Sequence, residues 1–251
     1  MLTINYQEEI ALLTLSHGGA SALDLEFCLA IHQALEDIQQ SSARALVITG
    51  KGAVFSAGVD LNRLIQGKGD YIAEFLPAFG QLLERLLFFP KPVVAAINGH
   101  AIAGGGLMAC TADTRLMAAG AGRIGVPELR VGVAFPPLAM EIMRSRLFPP
   151  AITDVVLSGK LCDPEAARHS GMVHKVVSPD ELLSTALAKA KKLAEVQPEL
   201  YASAKAQLNQ PIREAIDQGN ALWEAQVLEQ WQSDQAMASL ASYIKMMFGR
   251  R

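Results

Sequence analysis

Three short stretches of the 251-residue sequence combine residue types that could do chemistry. The first, Phe55-Ser56-Ala57-Gly58-Val59-Asp60-Leu61, surrounds one carboxylate with small residues. Such a loop lets the main chain approach a ligand closely and aim N–H groups at it. An ordinary connection in which Asp60 caps a helix suits the same residues. The second, Asn98-Gly99-His100-Ala101-Ile102-Ala103-Gly104-Gly105-Gly106-Leu107, ends an apolar run in a triple glycine and opens an apolar helix. Free N–H groups and partial positive charge at a helix start can stabilise an oxyanion on a carbonyl or thioester. Close strand–helix packing is the alternative. The third, Gly125-Val126-Pro127-Glu128-Leu129, sets a carboxylate in apolar surroundings. If buried, it would have a raised pKa and could shuttle protons near neutral pH; a surface turn acid is the plainer reading.

The elements that must position these stretches read as alternating strands and helices. Leu2–Tyr6 and Ile10–Leu15 read as strands joined by a polar turn. A helix follows Asp24, with Leu25, Cys28, Leu29, His32, Leu35 and Ile38 at helical spacing. Arg44–Thr49 and Val93–Asn98 are nearly continuous apolar runs, each delivered to a glycine turn, as strands buried on both faces require. Their similarity suggests a repeating β/α unit. A helix is expected from about Tyr71 to Phe89, stopped by Pro90 and Pro92. Another starts at Gly104–Thr111, and Thr114–Ala118 reads as a strand. Asp163-Pro164 opens a helix that Gly171 ends, before a last strand at Val173–Val177. Three or four amphipathic helices follow from Ser178. A boundary near Gln197-Pro198 divides an α/β core, 1–196, from a helical subdomain, 197–251.

Composition excludes several classes. The chain is 51% hydrophobic and 19% charged, which is too apolar for disorder. Its net charge of −3 argues against a nucleic-acid binder, which needs clustered Lys and Arg. Cys28, Cys110 and Cys162 are scattered, so neither a disulfide framework nor a zinc cluster is expected, and a reducing cytoplasm is. The histidines show no metal spacing. The first residues lack a basic run followed by a long apolar stretch, so no secretion signal is expected. Pro92 to Ala112 carries no charged residue and is long enough to span a bilayer, but its Asn, His and three adjacent glycines suit a buried strand–turn–helix instead. The glycine offsets match neither a dinucleotide fingerprint nor a P-loop, since Lys51 and Lys68 precede Gly rather than Ser or Thr.

The order and spacing of the three stretches, together with Gly132, Leu157-Ser158-Gly159, Asp163-Pro164-Glu165-Ala166 and Gly171-Met172-Val173, resemble the crotonase superfamily, the enoyl-CoA hydratase/isomerase family. The resemblance covers almost the whole chain. It implies an α/β fold, a spiral of repeated ββα units with a C-terminal helical region, assembled as a homotrimer or dimer of trimers. It implies an acyl-CoA thioester substrate, coenzyme A being part of that substrate, and no separate cofactor. By resemblance the N–H groups of Val59 and Gly105 form an oxyanion hole. Ala57, Asp60 and Leu61 lie nearest the CoA moiety, with Gly104, Met108, Phe135 and Pro136 also at the substrate.

Hydratases of the family carry two glutamates. Here Glu128 keeps one position, while Met108, which transfers no proton, takes the other. Gly132-Val133-Ala134-Phe135-Pro136-Pro137 also looks more like the corresponding loop of the family's 3-enoyl-CoA/2-enoyl-CoA isomerases. The resemblance therefore implies a double-bond shift with Glu128 as proton shuttle. Alternatives are hydration (a lyase reaction), thioester hydrolysis, decarboxylation, or acyl-CoA binding without turnover. His100 is read as packed or turn-bonded rather than touching substrate, Cys110 as core, and Glu141 as structural or pocket-lining. Arg63, Lys245, Arg250 and Arg251 are read as solvated more readily than as phosphate contacts. The stripe Leu222, Trp223, Val227, Leu228, Trp231, Leu240, Tyr243 and Ile244 would cover the core or form an interface.

Overall fold

The computed structural model describes residues 1–248. Its first half, residues 2–131, repeats one unit four times: a strand, a turn to one or two very short strands, and a helix. The first turn of the spiral holds β1 (Leu2–Gln7), β2 (Ile10–Leu15), β3 (Ala22–Leu23) and α1 (Leu25–Gln40). The second holds β4 (Ala45–Gly50), β5 (Val54–Ser56), β6 (Gly58–Val59) and α2 (Leu61–Leu87). The third holds β7 (Val93–Ile97), β8 (His100–Ile102) and α3 (Gly104–Thr111). The fourth holds β9 (Thr114–Ala118), β10 (Ile124–Gly125) and the single turn α4 (Glu128–Val131). There follow α5 (Pro137–Arg146), α6 (Pro149–Ser158), α7 (Pro164–Ser170), β11 (Lys175–Val177), α8 (Leu182–Ala194), α9 (Pro198–Gln232) and α10 (Asp234–Phe248).

The leading strands assemble into one six-stranded sheet in the order β1-β2-β4-β7-β9-β11. Only β1–β2 is antiparallel within it; the other pairings are parallel. The trailing strands form a second, parallel sheet in the order β10-β8-β5, and β3 pairs with β6. This is the expected α/β spiral of ββα units. Its inner strands β4 and β7 are apolar on both faces because both are covered, whereas the edge strand β1 is largely exposed. Leu13, Leu46, Ile48, Ala95 and Ile97 face the main core, whereas the alternate residues Leu12, Val47, Val94 and Ala96 pack with Ala186 and Ala190 of α8.

Two expectations are corrected. The helix placed at Tyr71–Phe89 starts at Leu61, because Asp60 caps it by accepting from Asn62 N at 2.9 Å and Arg63 N at 3.1 Å. Gly67-Lys68-Gly69 reads as loop, yet it is a kink inside this helix, with Lys68 at φ +51°. The strand at Val173–Val177 shortens to Lys175–Val177: the Val173 N–H bonds Ala167 O, and the Arg115 N–H of β9 goes to the His174 side chain. Among the described residues the C-terminal α-helices number three, and α9 starts one residue after Gln197. Their apolar residues Ile216, Trp231 and Leu240 enter the main core. A buried ion pair anchors α9 to the sheet: Lys205 Nζ donates to Asp113 Oδ2 at 2.8 Å, and that oxygen also accepts from Val93 N and Tyr201 Oη. Leu222 and Trp223 stay exposed, so only part of the C-terminal stripe covers the core.

Candidate active site

Two glycine turns interlock because neither has room for a side chain at the contact. A Cβ on Gly58 would collide with Ile102 O and lie 2.9 Å from Ala103 Cβ; one on Gly105 would collide with Ser56 O and lie 2.8 Å from Ser56 Cβ. The β5–β6 loop and the start of α3 therefore touch main chain to main chain. Gly58 also adopts φ +83°, which side-chain-bearing residues avoid. Ser56 fixes the first turn, with its Oγ donating to Ser21 O at 2.8 Å and accepting from Gly58 N at 3.2 Å. Asn98 is structural: its side chain accepts from Gly50 N at 2.9 Å and donates to Gly52 O at 2.7 Å, tying together the turns after β4 and β7.

The amides at this contact are uncommitted by construction. The Asp60 N–H is spent on Leu23 O at 2.9 Å. Alternation along a strand turns the Val59 N–H to the opposite edge, where no strand pairs among the described residues. At α3, Ala103 is the N-cap and offers no side-chain acceptor. The amides of Gly104, Gly105 and Gly106 fall in the first turn, before the first intrahelical bond from Leu107 N to Ala103 O at 2.9 Å. Ala103 itself stands at φ +51°, ψ −124°, a backbone conformation that glycine usually occupies. That backbone strain sits beside the amides it aims.

A cavity of about 380 Å³ opens beside the two turns, lined by Ala57, Val59, Asp60 and Leu61 from one and by Ile102, Ala103 and Leu107 from the other. Glu128 of α4 also lines it. It is 6% exposed, with its Oε2 buried and unbonded. Burial pushes its pKa up to about 8. Thus Glu128 is no surface turn acid. Among the described residues Asp60 carries the only other carboxylate on the lining, and it is engaged in capping α2. The cavity is otherwise mostly apolar.

The remaining predicted residues divide. Pro136 lines the cavity. Gly104 and Gly105 are buried and absent from the lining, and follow directly on Ala103, which lines it. Met108 and Phe135 are absent from the lining: Met108 is buried in the core, one helix position past Leu107 and so turned about 100° from it, and Phe135 packs against the main core. His100 is exposed and also lies off the cavity. Glu141 pairs with Arg144 at 2.9 Å, the structural reading. Arg63 is held by Glu26 at 2.6 Å and lies over the Tyr71 ring. Lys245 is exposed, and Arg250 and Arg251 lie outside the described residues.

The family model described as Enoyl-CoA hydratase/isomerase matches residues 5–246. The chain belongs to the enoyl-CoA hydratase/isomerase family. Among relatives of this enzyme family, a putative enoyl-CoA hydratase of Thermus thermophilus is 32% identical over 70% of both chains. A carnitinyl-CoA dehydratase of Salmonella arizonae is 34% identical over 77% of this chain and 74% of its own. The crystal structure of a probable enoyl-CoA hydratase of Mycobacterium tuberculosis superposes with a TM-score of 0.85 at 31% identity, covering 91% of this chain and 97% of that one. Human mitochondrial delta3-delta2-enoyl-CoA isomerase shares the fold over 100% of this chain and 99% of its own, with a TM-score of 0.94 at 24% identity.

Other walls of this family member's cavity escape sequence reasoning. Trp231, Tyr243 and Ile244 come from α9 and α10, and Phe79 from α2. The apolar stripe holding the first three is legible, but not the face it presents. Trp231 is fixed by its Nε1 donating to Ala134 O at 2.8 Å, a bond between segments far apart in sequence. Phe79 sits at helical spacing from Tyr71 and Phe75 on α2, which marks it as a packing residue but not as a cavity wall.

Proposed function

We propose that this enzyme shifts a carbon–carbon double bond in an enoyl-CoA thioester. The observation that carries the reading is a single free carboxylate, Glu128, in an apolar cavity edged by two main-chain turns with uncommitted amides. The thioester carbonyl oxygen accepts from Val59 N–H and Gly105 N–H. Glu128, ionised, removes a proton from the second acyl carbon of a 3-enoyl thioester. The electron pair spreads over the dienolate, whose oxygen the two amides stabilise. Glu128 then returns the proton to the fourth carbon, leaving the double bond between the second and third. Atoms and charge balance without a further cofactor, and coenzyme A enters as part of the substrate. Ala57, Asp60 and Leu61 sit where the CoA moiety leaves the cavity.

Hydration is the second reading, motivated by relatives described as a hydratase and a dehydratase. It needs a second proton carrier, and Met108 offers none. Product mass separates the two: isomerisation leaves the thioester's mass unchanged, whereas hydration adds one water. Incubation of the purified protein with 3-enoyl-CoA and 2-enoyl-CoA substrates, with Glu128→Gln as control, is the test. A mass gain as the main product would overturn the isomerase reading. The three buried free thiols suit a reducing compartment such as the cytoplasm. No helix among the described residues is long and apolar enough to cross a membrane. A homotrimer or dimer of trimers is the proposed assembly. Exposed Leu208, Leu222 and Trp223 on α9 are candidates for its interface, and light scattering measures its size.

A further inference from the structure

The site cavity has a neighbour. A second cavity of about 220 Å³ is lined by Leu76, Leu83, Ile216, Val227 and Leu228 together with several polar residues. The two cavities share two lining residues, Phe79 and Pro136. The polar residues on the second cavity are Gln81, Glu84, Asn220 and Glu224, and no Lys or Arg lines it. It is therefore unsuited to the phosphates of coenzyme A and suited to hydrocarbon.

Phe79 is a fixed partition rather than a swinging one. Its ring stacks on Phe75 with centroids 5.7 Å apart and planes 6° from parallel. Phe75 stacks in turn on Tyr71 at 5.9 Å, and the Tyr71 hydroxyl accepts from Leu25 N at 3.0 Å. On the other side the ring edge lies against Gly104, where a Cβ would come within 2.8 Å of Phe79 Cζ. Stacking, a hydrogen bond at the far end of the stack and a glycine contact thus hold the ring in place. Pro136 is rigid by its own ring.

We propose that Phe79, backed by Pro136, sets the acyl chain length of this enzyme by closing the site cavity off from the second apolar chamber. The inference deepens the acyl-CoA reading above and rests on it. A chain grows along the cavity until it meets Phe79. Each buried methylene up to that point tightens binding about fourfold, and further methylenes add nothing. Removing the ring joins the two cavities.

Binding, rather than turnover, keeps this test separate from the reaction. Saturated acyl-CoA thioesters from butanoyl to hexadecanoyl are titrated calorimetrically into the intact wild-type protein, Phe79→Ala, and Phe79→Ala/Leu228→Trp. Wild-type affinity is expected to rise with chain length and then level off. In Phe79→Ala the rise continues to longer chains, so that the long-to-short affinity ratio grows by about tenfold or more, the worth of two or so methylenes. Leu228→Trp refills the chamber and brings the plateau back. Should Phe79→Ala fail to fold by circular dichroism, Phe79→Leu carries the same test with a smaller shift. An identical plateau in the folded variant, or no plateau in the wild type, overturns the role of Phe79 alone. Absence of binding to any acyl-CoA overturns the acyl-CoA reading and this inference with it.

Discussion

Replacing Glu128 with Gln should abolish proton transfer and stabilise the fold, and both effects follow from one cause. Burial raises the carboxyl pKa from 4.5 to about 8. A raised folded-state pKa means that the neutral acid is the form the fold tolerates. The stability it permits is complete below the unfolded value of 4.5 and is lost progressively until pH passes the folded value near 8. At pH 7 the loss amounts to about 3 kcal/mol, growing to about 5 kcal/mol above pH 9. Gln keeps the shape and carries no charge, so it escapes this loss. Urea unfolding of both proteins at pH 5, 7 and 9 should show a gap that widens with pH and favours the variant. Activity should move the other way, falling about 10²–10⁴-fold in the variant. In the wild type, kcat/KM for isomerisation should climb about tenfold per pH unit towards pH 8 and then level off, because only the ionised carboxylate takes a proton. Equal stabilities at every pH would refute the claim that the fold holds Glu128 against its charge. Undiminished activity in the variant would refute its role.

Gly105→Ala should cost about 10²-fold or more in kcat, because the added methyl meets Ser56 and displaces an amide of the proposed oxyanion hole; near-normal kcat in a folded variant would count against that amide. Ala103→Gly should raise stability by about 1 kcal/mol, relieving the positive φ at the start of α3, and thermal melts measure it. Asp113→Ala should cost about 3–5 kcal/mol by stranding buried Lys205, while leaving the specific activity of the folded fraction unchanged. Denaturant titration and an activity assay on the same sample separate the two effects.

The spiral was readable where a strand is long and buried on both faces. Arg44–Thr49 and Val93–Asn98 are apolar runs that must lie between two layers, and α8 supplies the second. The trailing strands have only two or three residues each, too few for alternation to show. The first ten residues of α2 stayed hidden because Gly67-Lys68-Gly69 has loop composition, and the kink at Lys68 spends that composition inside a helix. In the candidate site, local chemistry was legible and closure was not. Asp60, Gly105 and Glu128 announce themselves through glycine turns and a carboxylate among apolar residues. Phe79, Trp231 and Tyr243 reach the cavity only by packing between distant segments, and no local spacing encodes that contact.

A site of this kind ties reaction type to very few side chains. The proposed oxyanion donors are main-chain groups, set by glycines that must remain glycines for steric reasons. Substitution there harms the fold and the site together, so it cannot retune the chemistry. What remains adjustable is the proton carrier and the cavity wall. On the proposed reading, Glu128, with Met108 buried off the cavity, moves one proton between two carbons of the same chain. Phe79 then decides how much chain lies beyond them. In this architecture a change of reaction would be sought among cavity-facing side chains, such as Leu107, rather than in the turns proposed to hold the carbonyl.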